Sequence, residues 1–199
     1  MFENVHCSNC SLHAAANLVC MPSQGDETCS LAILLDQPTM VEDKRKKSFV
    51  SESADFVKYC LRRMGIDPDT VYLDYIVKCY GKLPTKKDER NVLVNACEYK
   101  LAALQTFKSL KAVVVLGKVG CEWVTGGSIL GDWAGADWPL ARNHTMHCII
   151  PKVWVGYSPG YAMEKPSESG GIFRVIWKAA EEAGLKPSVT KIPAFPFNI

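Results

Sequence analysis

Short, largely apolar runs alternate with helical patterns along this chain, and this alternation constrains its fold more than any other feature. The runs Leu31–Leu35, Val71–Val77 and Ala112–Gly117 are rich in aliphatic and β-branched residues, which is typical of strands buried on both faces. Amphipathic helical patterns separate and follow these runs: one from about Ser53, one over Lys86–Ser109 and one over Gly171–Ala183. The sequence therefore predicts an α/β domain whose mostly parallel sheet lies between two layers of helices.

The length of 199 residues is typical of one domain, so we expect residues 1–199 to form a single domain. Residues 1–30 show no sustained periodicity and predict an irregular N-terminal segment with a short helix near Leu12–Leu18, while residues 187–199 predict a proline-bearing tail. The N-terminus shows no basic stretch followed by an apolar run, and no apolar stretch is long enough to span a membrane. We therefore expect a monomer in the reducing cytoplasm, without a membrane partner.

The nine cysteines are an odd number, which excludes a scaffold whose cysteines all pair within the chain. In a reducing compartment, clustered cysteines are more often metal ligands or catalytic groups. Cys7 and Cys10 have the C-x₂-C spacing from which two thiolates reach one metal centre, Cys79 follows the second predicted strand, and Cys97 lies in the long predicted helix. Four such sulfurs can hold zinc or an iron–sulfur cluster, and their spacing does not choose between the two. We predict that the other five are packing residues: Cys20, Cys29, Cys60, Cys121 and Cys148.

The carboxyl ends of the predicted strands mark the edge where parallel sheets bind ligands. Four segments lie there: Asp36–Phe49, Tyr75–Gly81, Gly117–Gly120 and Tyr157–Lys165. The net charge of +2 neither requires nor excludes a polyanionic partner, because the position of the charge matters more than its sum. A basic run does lie at this edge, and it either contacts phosphates or belongs to a solvated charged loop over Glu42–Lys47: Lys44, Arg45, Lys46 and Lys47.

Five motifs in a fixed order between Cys7 and about Ser169 carry a resemblance to a known family. They are Cys7-x₂-Cys10-Ser11-Leu12; Leu34-Leu35-Asp36-Gln37-Pro38-Thr39 with Glu42-Asp43 and Ser48-Phe49-Val50; Tyr72 to Cys79; Val115-Leu116-Gly117; and Val155 to Tyr161. In these motifs the chain resembles the uracil-DNA glycosylase superfamily, and within it the iron–sulfur family 4. The resemblance implies a three-layer sandwich with a central, mostly parallel four-stranded sheet. It also implies that Cys7, Cys10, Cys79 and Cys97 hold a 4Fe-4S cluster, with zinc as the alternative.

The resemblance further implies a site that flips a base out of DNA and hydrolyses its N-glycosidic bond. Asp36 stands at the acidic position of the family and is the candidate catalytic group; the alternative is a strand-terminal aspartate that bonds its own backbone. Gln37, Phe49, Tyr75 and Ser158 stand at positions that contact the base. Phe49 matches the phenylalanine that stacks on the base, although a core aromatic is the alternative.

Two of these positions depart from the family. Tyr75 replaces an asparagine, and a phenol cannot make the bidentate contact of an amide, although it can fill the base pocket. Ser158 replaces a histidine, and the loss of one preorganised donor costs about 10²–10³ in rate. His144 and His147 either substitute for that histidine or are surface residues.

Three functions follow from these observations. The first is an active DNA glycosylase for uracil or a modified base. The second is an inactive superfamily member that binds duplex or single-stranded DNA, or a replication or repair protein. The third is a module that is stabilised by its metal centre and binds another protein.

The resemblance also suggests which residues contact DNA beside the site. Ala162 and Met163 are candidates for an apolar wedge that enters a base step, and Lys165 for a phosphate contact. Trp123, Trp133 and Trp138 frame a nearby loop, where they pack beneath it, stack on bases or contact a partner protein.

Overall fold

A computed structural model describes residues 7–97, 104–127, 131, 134–135, 137–139 and 152–188 of the chain. Its sheet contains five strands in the spatial order β2-β1-β3-β5-β4: β1 (Leu31–Leu35), β2 (Tyr72–Tyr75), β3 (Ala112–Leu116), β4 (Asp137–Pro139) and β5 (Lys152–Gly156). The first four strands in this order are parallel, and β4 pairs antiparallel with β5. The predicted four-stranded parallel sheet is confirmed, with a short antiparallel strand added at one edge.

Six α-helices of the described residues surround the sheet: α1 (Met40–Arg45), α2 (Glu52–Arg63), α3 (Lys87–Ala96), α4 (Lys118–Thr125), α5 (Pro159–Glu164) and α6 (Ser169–Glu182). Four short 3₁₀ turns complete the described elements: Ser11–Ala14, Pro68–Thr70, Leu104–Thr106 and Pro166–Glu168. None of the helices in the described parts of the chain is long and apolar enough to cross a membrane.

The core divides into two clusters, one on each face of the sheet. Leu31, Ile33 and Leu35 of β1 point into the cluster covered by α2, α5 and α6. Ala32 and Leu34 point into the cluster covered by α3 and α4. Since successive residues of a strand face opposite sides, burial of both faces explains why β1 is apolar throughout. This arrangement confirms the predicted three-layer sandwich.

The predicted charged loop over Glu42–Lys47 is wrong, because most of it belongs to α1. Thr39 caps this helix, and the side chains of Thr39 and Glu42 bond each other's backbone N–H groups in a capping box. The helix ends where Lys46 adopts a left-handed backbone with φ of 51°. A threonine followed three residues later by glutamate was the sequence signal for this helix start.

The predicted long helix over Lys86–Ser109 is also wrong, because α3 ends at Ala96 and Cys97 has a non-helical ψ of 86°. Cys97 is buried within electrostatic range of Cys79, and such tertiary contacts override helix propensity. Val92, an apolar residue of this helical pattern, is 70% exposed. Between Cys97 and Ser109, the described residues are helical only over the 3₁₀ turn at Leu104–Thr106.

The N-terminal segment runs along the outer edge of β2. The Met21 N–H donates to the Lys78 carbonyl at 2.8 Å, and Gln24 forms an antiparallel bridge with Leu73. This pairing covers a strand edge that would otherwise expose its backbone groups. Asp43 anchors the same segment to α1, since its carboxylate accepts the N–H groups of Asn17 at 2.9 Å and Leu18 at 3.1 Å. The single-domain assignment for residues 1–199 stays a prediction.

Candidate active site

Three parallel strands end side by side at one edge of the sheet, which we call the carboxyl edge. In the strand register, Leu35 at the end of β1 lies beside Tyr75 of β2 and Leu116 of β3. Beyond the strands, the Val77 N–H donates to the Asp36 carbonyl at 2.9 Å. The segments that follow β1, β2 and β3 therefore meet at this edge, as the parallel topology predicts.

Asp36 directs its carboxylate at the first turn of α4. Its Oδ1 accepts the Gly120 N–H at 3.0 Å, and the N–H groups of Lys118 and Val119 also bond this carboxyl group. Burial raises the pKa of Asp36 to about 6, although the three N–H bonds oppose that rise. The residue keeps some contact with solvent, while its carboxyl group is enclosed by backbone. Asp36 is thus a buried acid whose pKa lies near neutrality, which suits general acid–base work.

Gly117 makes this contact possible. Its φ of 126° lies where side chains are strained, and a Cβ added there would lie within 2.5 Å of all three carboxyl atoms of Asp36. The glycine between β3 and α4 therefore lets the helix start close to the acid.

Phe49 and Tyr75 lie against each other as a parallel stack. Their ring centroids are 4.5 Å apart, and the ring planes differ by 2°. Both side chains are buried. The Tyr75 hydroxyl accepts the Phe49 N–H at 3.1 Å and donates to the carboxylate of Glu42. Burial is the main cause that raises the pKa of Tyr75, followed by the nearby Glu42 charge, so this hydroxyl stays protonated.

Glu42 is a site residue that sequence reasoning did not single out. It is fully buried, and its Oε1 accepts the Ser51 hydroxyl at 3.0 Å. Its Oε2 accepts the Thr39 N–H at 2.8 Å and the Thr39 hydroxyl at 3.0 Å. One carboxylate thus joins the loop after β1, the start of α2 and Tyr75. Its place in the Thr39–Glu42 capping pattern was the available signal.

Gln37 and Ser158 have different surroundings. The Gln37 amide donates to the Gly81 carbonyl at 3.1 Å, while its Oε1 is buried and has no hydrogen-bond partner among the described residues. A buried acceptor in this state is available to a ligand or a water molecule. Ser158 caps α5 by accepting the Tyr161 N–H at 3.3 Å. Its hydroxyl is therefore already engaged by the backbone.

The cysteines that we expected to hold a metal centre surround the end of β2. The pKa of Cys79 is raised first by burial and then by the neighbouring thiols of Cys97, Cys10 and Cys7. The Cys20 N–H donates to the Cys79 sulfur at 3.4 Å, which is a bond suited to a thiolate. All four sulfurs are free thiols. The described residues contain no group of three side chains close enough to hold a single metal ion.

A tetrahedral zinc bonds each sulfur at about 2.3 Å, which needs the thiols close together. Cys79 has the thiols of Cys97, Cys10 and Cys7 as electrostatic neighbours, and four cysteine sulfurs are also the ligand set of an iron–sulfur cluster. Of the five cysteines predicted as packing residues, Cys20, Cys29, Cys60 and Cys121 are buried. Cys148 lies outside the described residues.

Comparison with known proteins decides the family. A model of the uracil DNA glycosylase superfamily matches residues 22–181. The chain belongs to the uracil-DNA glycosylase superfamily. A type-4 uracil-DNA glycosylase from Archaeoglobus fulgidus is 24% identical to it over 124 residues, which are 61% of this chain and 60% of that relative. The predicted resemblance to the superfamily and its family 4 is confirmed.

The positions that would face DNA in a superfamily member differ in accessibility. Lys44, Arg45, Lys46 and Lys47 are all exposed, at the C-terminal end of α1. Lys165 is exposed and lies 5.0 Å from the centre of the Tyr161 ring, which packs beside Tyr157. Met163 is half-buried. Ala162 is buried in the core and cannot enter a base step, so its prediction as a wedge is wrong.

A cleft of about 710 Å³ lies between α1, the start of α2 and α5. Arg45 and Met163 line it, together with the acidic side chains of Glu52, Asp55 and Glu164. These three carboxylates repel phosphate, which makes the cleft itself unfavourable for the DNA backbone. Contacts with DNA phosphates are therefore expected on the exposed rim of the cleft.

The remaining aromatic and histidine candidates divide by location. Trp123 packs against the cluster covered by α3 and α4. Trp133, His144, His147 and the side chain of Trp138 lie outside the described residues.

Proposed function

We propose that this chain binds DNA at its carboxyl edge and hydrolyses the N-glycosidic bond of a flipped base, uracil or a modified base, in base excision repair. Membership of the uracil-DNA glycosylase superfamily supports this proposal. The observation that carries it is Asp36, a buried acid with a pKa of about 6 at the edge where parallel sheets bind ligands.

Asp36 would act as the group that stabilises positive charge on the sugar and positions the attacking water. Hydrolysis places the hydroxyl of water on the sugar carbon and its proton on the departing base. With a pKa of about 6, Asp36 is mostly ionised above neutrality, as an electrostatic role requires, and can still accept a proton. Gln37 would offer its unpartnered Oε1 to the base or the water.

Cys7, Cys10, Cys79 and Cys97 would hold a 4Fe-4S cluster, which ties the N-terminal segment to the ends of β2 and α3. The proximity of the other three thiols to the buried Cys79 supports a shared metal centre, and the similarity to a type-4 uracil-DNA glycosylase favours the cluster over zinc. The contribution of such a cluster here would be structural. The Cys20 N–H would stabilise the thiolate form of Cys79.

DNA would bind across the rim formed by the exposed residues Lys44–Lys47 and Lys165. Met163, which is half-buried beside the cleft, takes the wedge role that Ala162 cannot. Binding through phosphates predicts strong salt dependence, with duplex or single-stranded DNA as the partner.

The second candidate is a superfamily member that binds DNA, or a replication or repair protein, without excising a base. The parallel stack of Tyr75 on Phe49 favours it, since the ring that would hold a base already carries an aromatic partner. The use of the Ser158 hydroxyl as a helix cap favours it as well.

An excision assay separates these candidates. Duplex and single-stranded oligonucleotides carrying uracil, hydroxymethyluracil or hypoxanthine are incubated with the protein, and abasic sites are then cleaved by alkali. We expect product with at least one substrate, and its loss in Asp36→Asn but not in Asp26→Asn, a change at an exposed acid. DNA binding without product from any substrate would establish the second candidate.

Metal analysis tests the cofactor separately. After anaerobic purification, we expect iron and sulfide with the broad visible absorbance of an iron–sulfur cluster. Cys79→Ser should lose both, whereas Cys60→Ser, at a buried cysteine in the opposite core cluster, should keep them. A colourless protein with stoichiometric zinc would overturn the assignment.

A further inference from the structure

The stack of Tyr75 on Phe49 is an enclosed aromatic pair at the carboxyl edge. The two ring planes are nearly parallel, and the ring centroids are 4.5 Å apart. Both side chains are at most 1% exposed. This is the offset parallel geometry that a nucleobase adopts on an aromatic side chain. A phenol ring and a pyrimidine are both flat six-membered rings, so Tyr75 fills the space that a pyrimidine on Phe49 would need.

The hydroxyl of Tyr75 has hydrogen-bond partners within the protein, just as its ring has a stacking partner. Its hydroxyl accepts the Phe49 N–H and donates to Glu42. Glu42 in turn accepts from Ser51 and Thr39. The stack is therefore closed by hydrogen bonds on the side where a base would present its own donors and acceptors.

The backbone of Phe49 is held in an unfavourable conformation around this contact. Its φ is 55°, a left-handed value that is uncommon for a bulky residue. The Lys58 ammonium fixes the Phe49 carbonyl at 2.9 Å, and the Tyr75 hydroxyl fixes its N–H. Strain of this kind persists where surrounding contacts determine the conformation, and it concentrates at binding sites.

We propose that Tyr75 is an internal occupant of the pyrimidine-binding position on Phe49 and thereby excludes free uracil from the site while the stack is closed. This inference rests on the proposed function, because it takes the carboxyl edge to be the base-binding site. Tyr75 is then the residue that determines specificity: a base enters only when the tyrosine ring leaves the stack.

Substituting Tyr75 tests this occupancy directly. Tyr75→Asn removes the ring and supplies an amide that can pair with a pyrimidine, whereas Tyr75→Phe keeps the ring and removes only the hydroxyl. The matched control is Tyr72→Asn, which removes a buried tyrosine of the same strand from the opposite core cluster. Each variant is first checked for cooperative unfolding, and free uracil binding is then measured by calorimetry.

We expect Tyr75→Asn to bind free uracil at least about 10-fold more tightly than the wild type, since one stacking contact and one hydrogen bond are worth about that much. Tyr75→Phe and Tyr72→Asn should bind no better than the wild type. A folded Tyr75→Asn protein without this gain, or an equal gain in Tyr72→Asn, would overturn the proposal.

The wild-type protein supplies a test that does not depend on any variant folding. Free uracil at millimolar concentration should leave its melting temperature unchanged, because a ligand that finds no site gives no stabilisation. A clear rise would refute the occupancy of the site by Tyr75.

Salt-dependent DNA binding by the wild type, followed by fluorescence anisotropy, separates this inference from the proposed function. If the wild type binds DNA but Tyr75→Asn shows no gain in affinity for free uracil, only the occupancy by Tyr75 is refuted. A gain in uracil binding without any DNA binding supports that occupancy and refutes the DNA function.

Discussion

Replacing Arg90 by methionine should strongly destabilise the protein, because it breaks a buried ion pair beneath the carboxyl edge. The Arg90 guanidinium in α3 donates to Glu122 in α4 through Nε at 2.9 Å and Nη2 at 2.7 Å. Its Nη1 donates to the carbonyls of Pro84 and Thr85. The Arg90 and Glu122 side chains are 8% and 2% exposed. The substitution would therefore leave the Glu122 carboxylate buried without its counter-charge.

The expected cost follows from these contacts. Removing one partner of a buried pair costs about 3–5 kcal/mol, and each carbonyl that loses its donor adds about 1 kcal/mol. Arg90→Met should therefore lower the free energy of unfolding by about 5–7 kcal/mol, a large part of a typical total. Arg90→Met/Glu122→Leu removes both charges and should cost only about 2 kcal/mol, from the two carbonyls.

Urea unfolding followed by circular dichroism gives the free energy of each variant from its midpoint and slope. The wild type, the two single variants and the double variant form a cycle that isolates the coupling between the two side chains. Lys86→Ala is the matched control, since Lys86 pairs with Glu89 at 3.5 Å while the side chains are 79% and 58% exposed. We expect that control to cost less than about 0.5 kcal/mol.

Two outcomes would contradict this interpretation. One is a cost below about 1 kcal/mol for Arg90→Met, which is typical of a solvated pair. The other is a double variant as unstable as the sum of the two single variants. The Glu122 charge also contributes to the raised pKa of Asp36. Arg90→Met should therefore raise that pKa further, seen as a shift of any excision pH profile to higher pH.

Three other changes probe the site and the DNA surface. Gly117→Ala should displace the Asp36 carboxylate and abolish excision, while Gly126→Ala, which has a positive φ but nothing within 4 Å, should retain it. Because the folded pKa of Asp36 is raised from 3.8 to about 6, the native protein holds this proton more tightly. The contribution of Asp36 to stability should fall by about 3 kcal/mol as pH rises from below 3.8 to above 6, and urea midpoints for Asp36→Asn should lack this fall. Substituting Lys44–Lys47 with glutamine should reduce the slope of log affinity against log salt by about 3–4, whereas the same change at the exposed Arg62 and Arg63 should leave it unaltered.

The sheet was predictable because burial on both faces leaves a direct pattern in the sequence. Leu31–Leu35 and Ala112–Leu116 are strands at the predicted positions. Short runs that are apolar throughout are typical of strands buried on both faces. The end of α3 was not predictable from helical spacing. The helix ends at Ala96, and Cys97 is buried within electrostatic range of Cys79, a residue distant in the sequence.

The candidate site was predictable only in its position. Strand order brings Asp36, Tyr75 and Gly117 to one edge, and a pattern of parallel strands is enough to place them there. What each side chain contacts depends on local geometry that carries no periodic signal. The left-handed backbone of Phe49 and the hydrogen bonds of Glu42 are examples, since both arise from the packing of a loop against Tyr75.

Opening of the site requires rotation of the Tyr75 side chain, because the backbone of this segment is held on both sides. The Ile76 N–H donates to Leu35 at 2.8 Å, and the Lys78 carbonyl accepts the Met21 N–H at 2.8 Å. Lys78 also forms a buried ion pair with Asp74, whose carboxylate accepts the Tyr75 N–H at 2.7 Å. Moving the strand would break these bonds and disturb Cys79, the next residue along the chain. Rotating the side chain breaks the Phe49 stack and the two bonds of the hydroxyl but none of these bonds of the strand, so the proposed base site can open while the cysteine group stays in place.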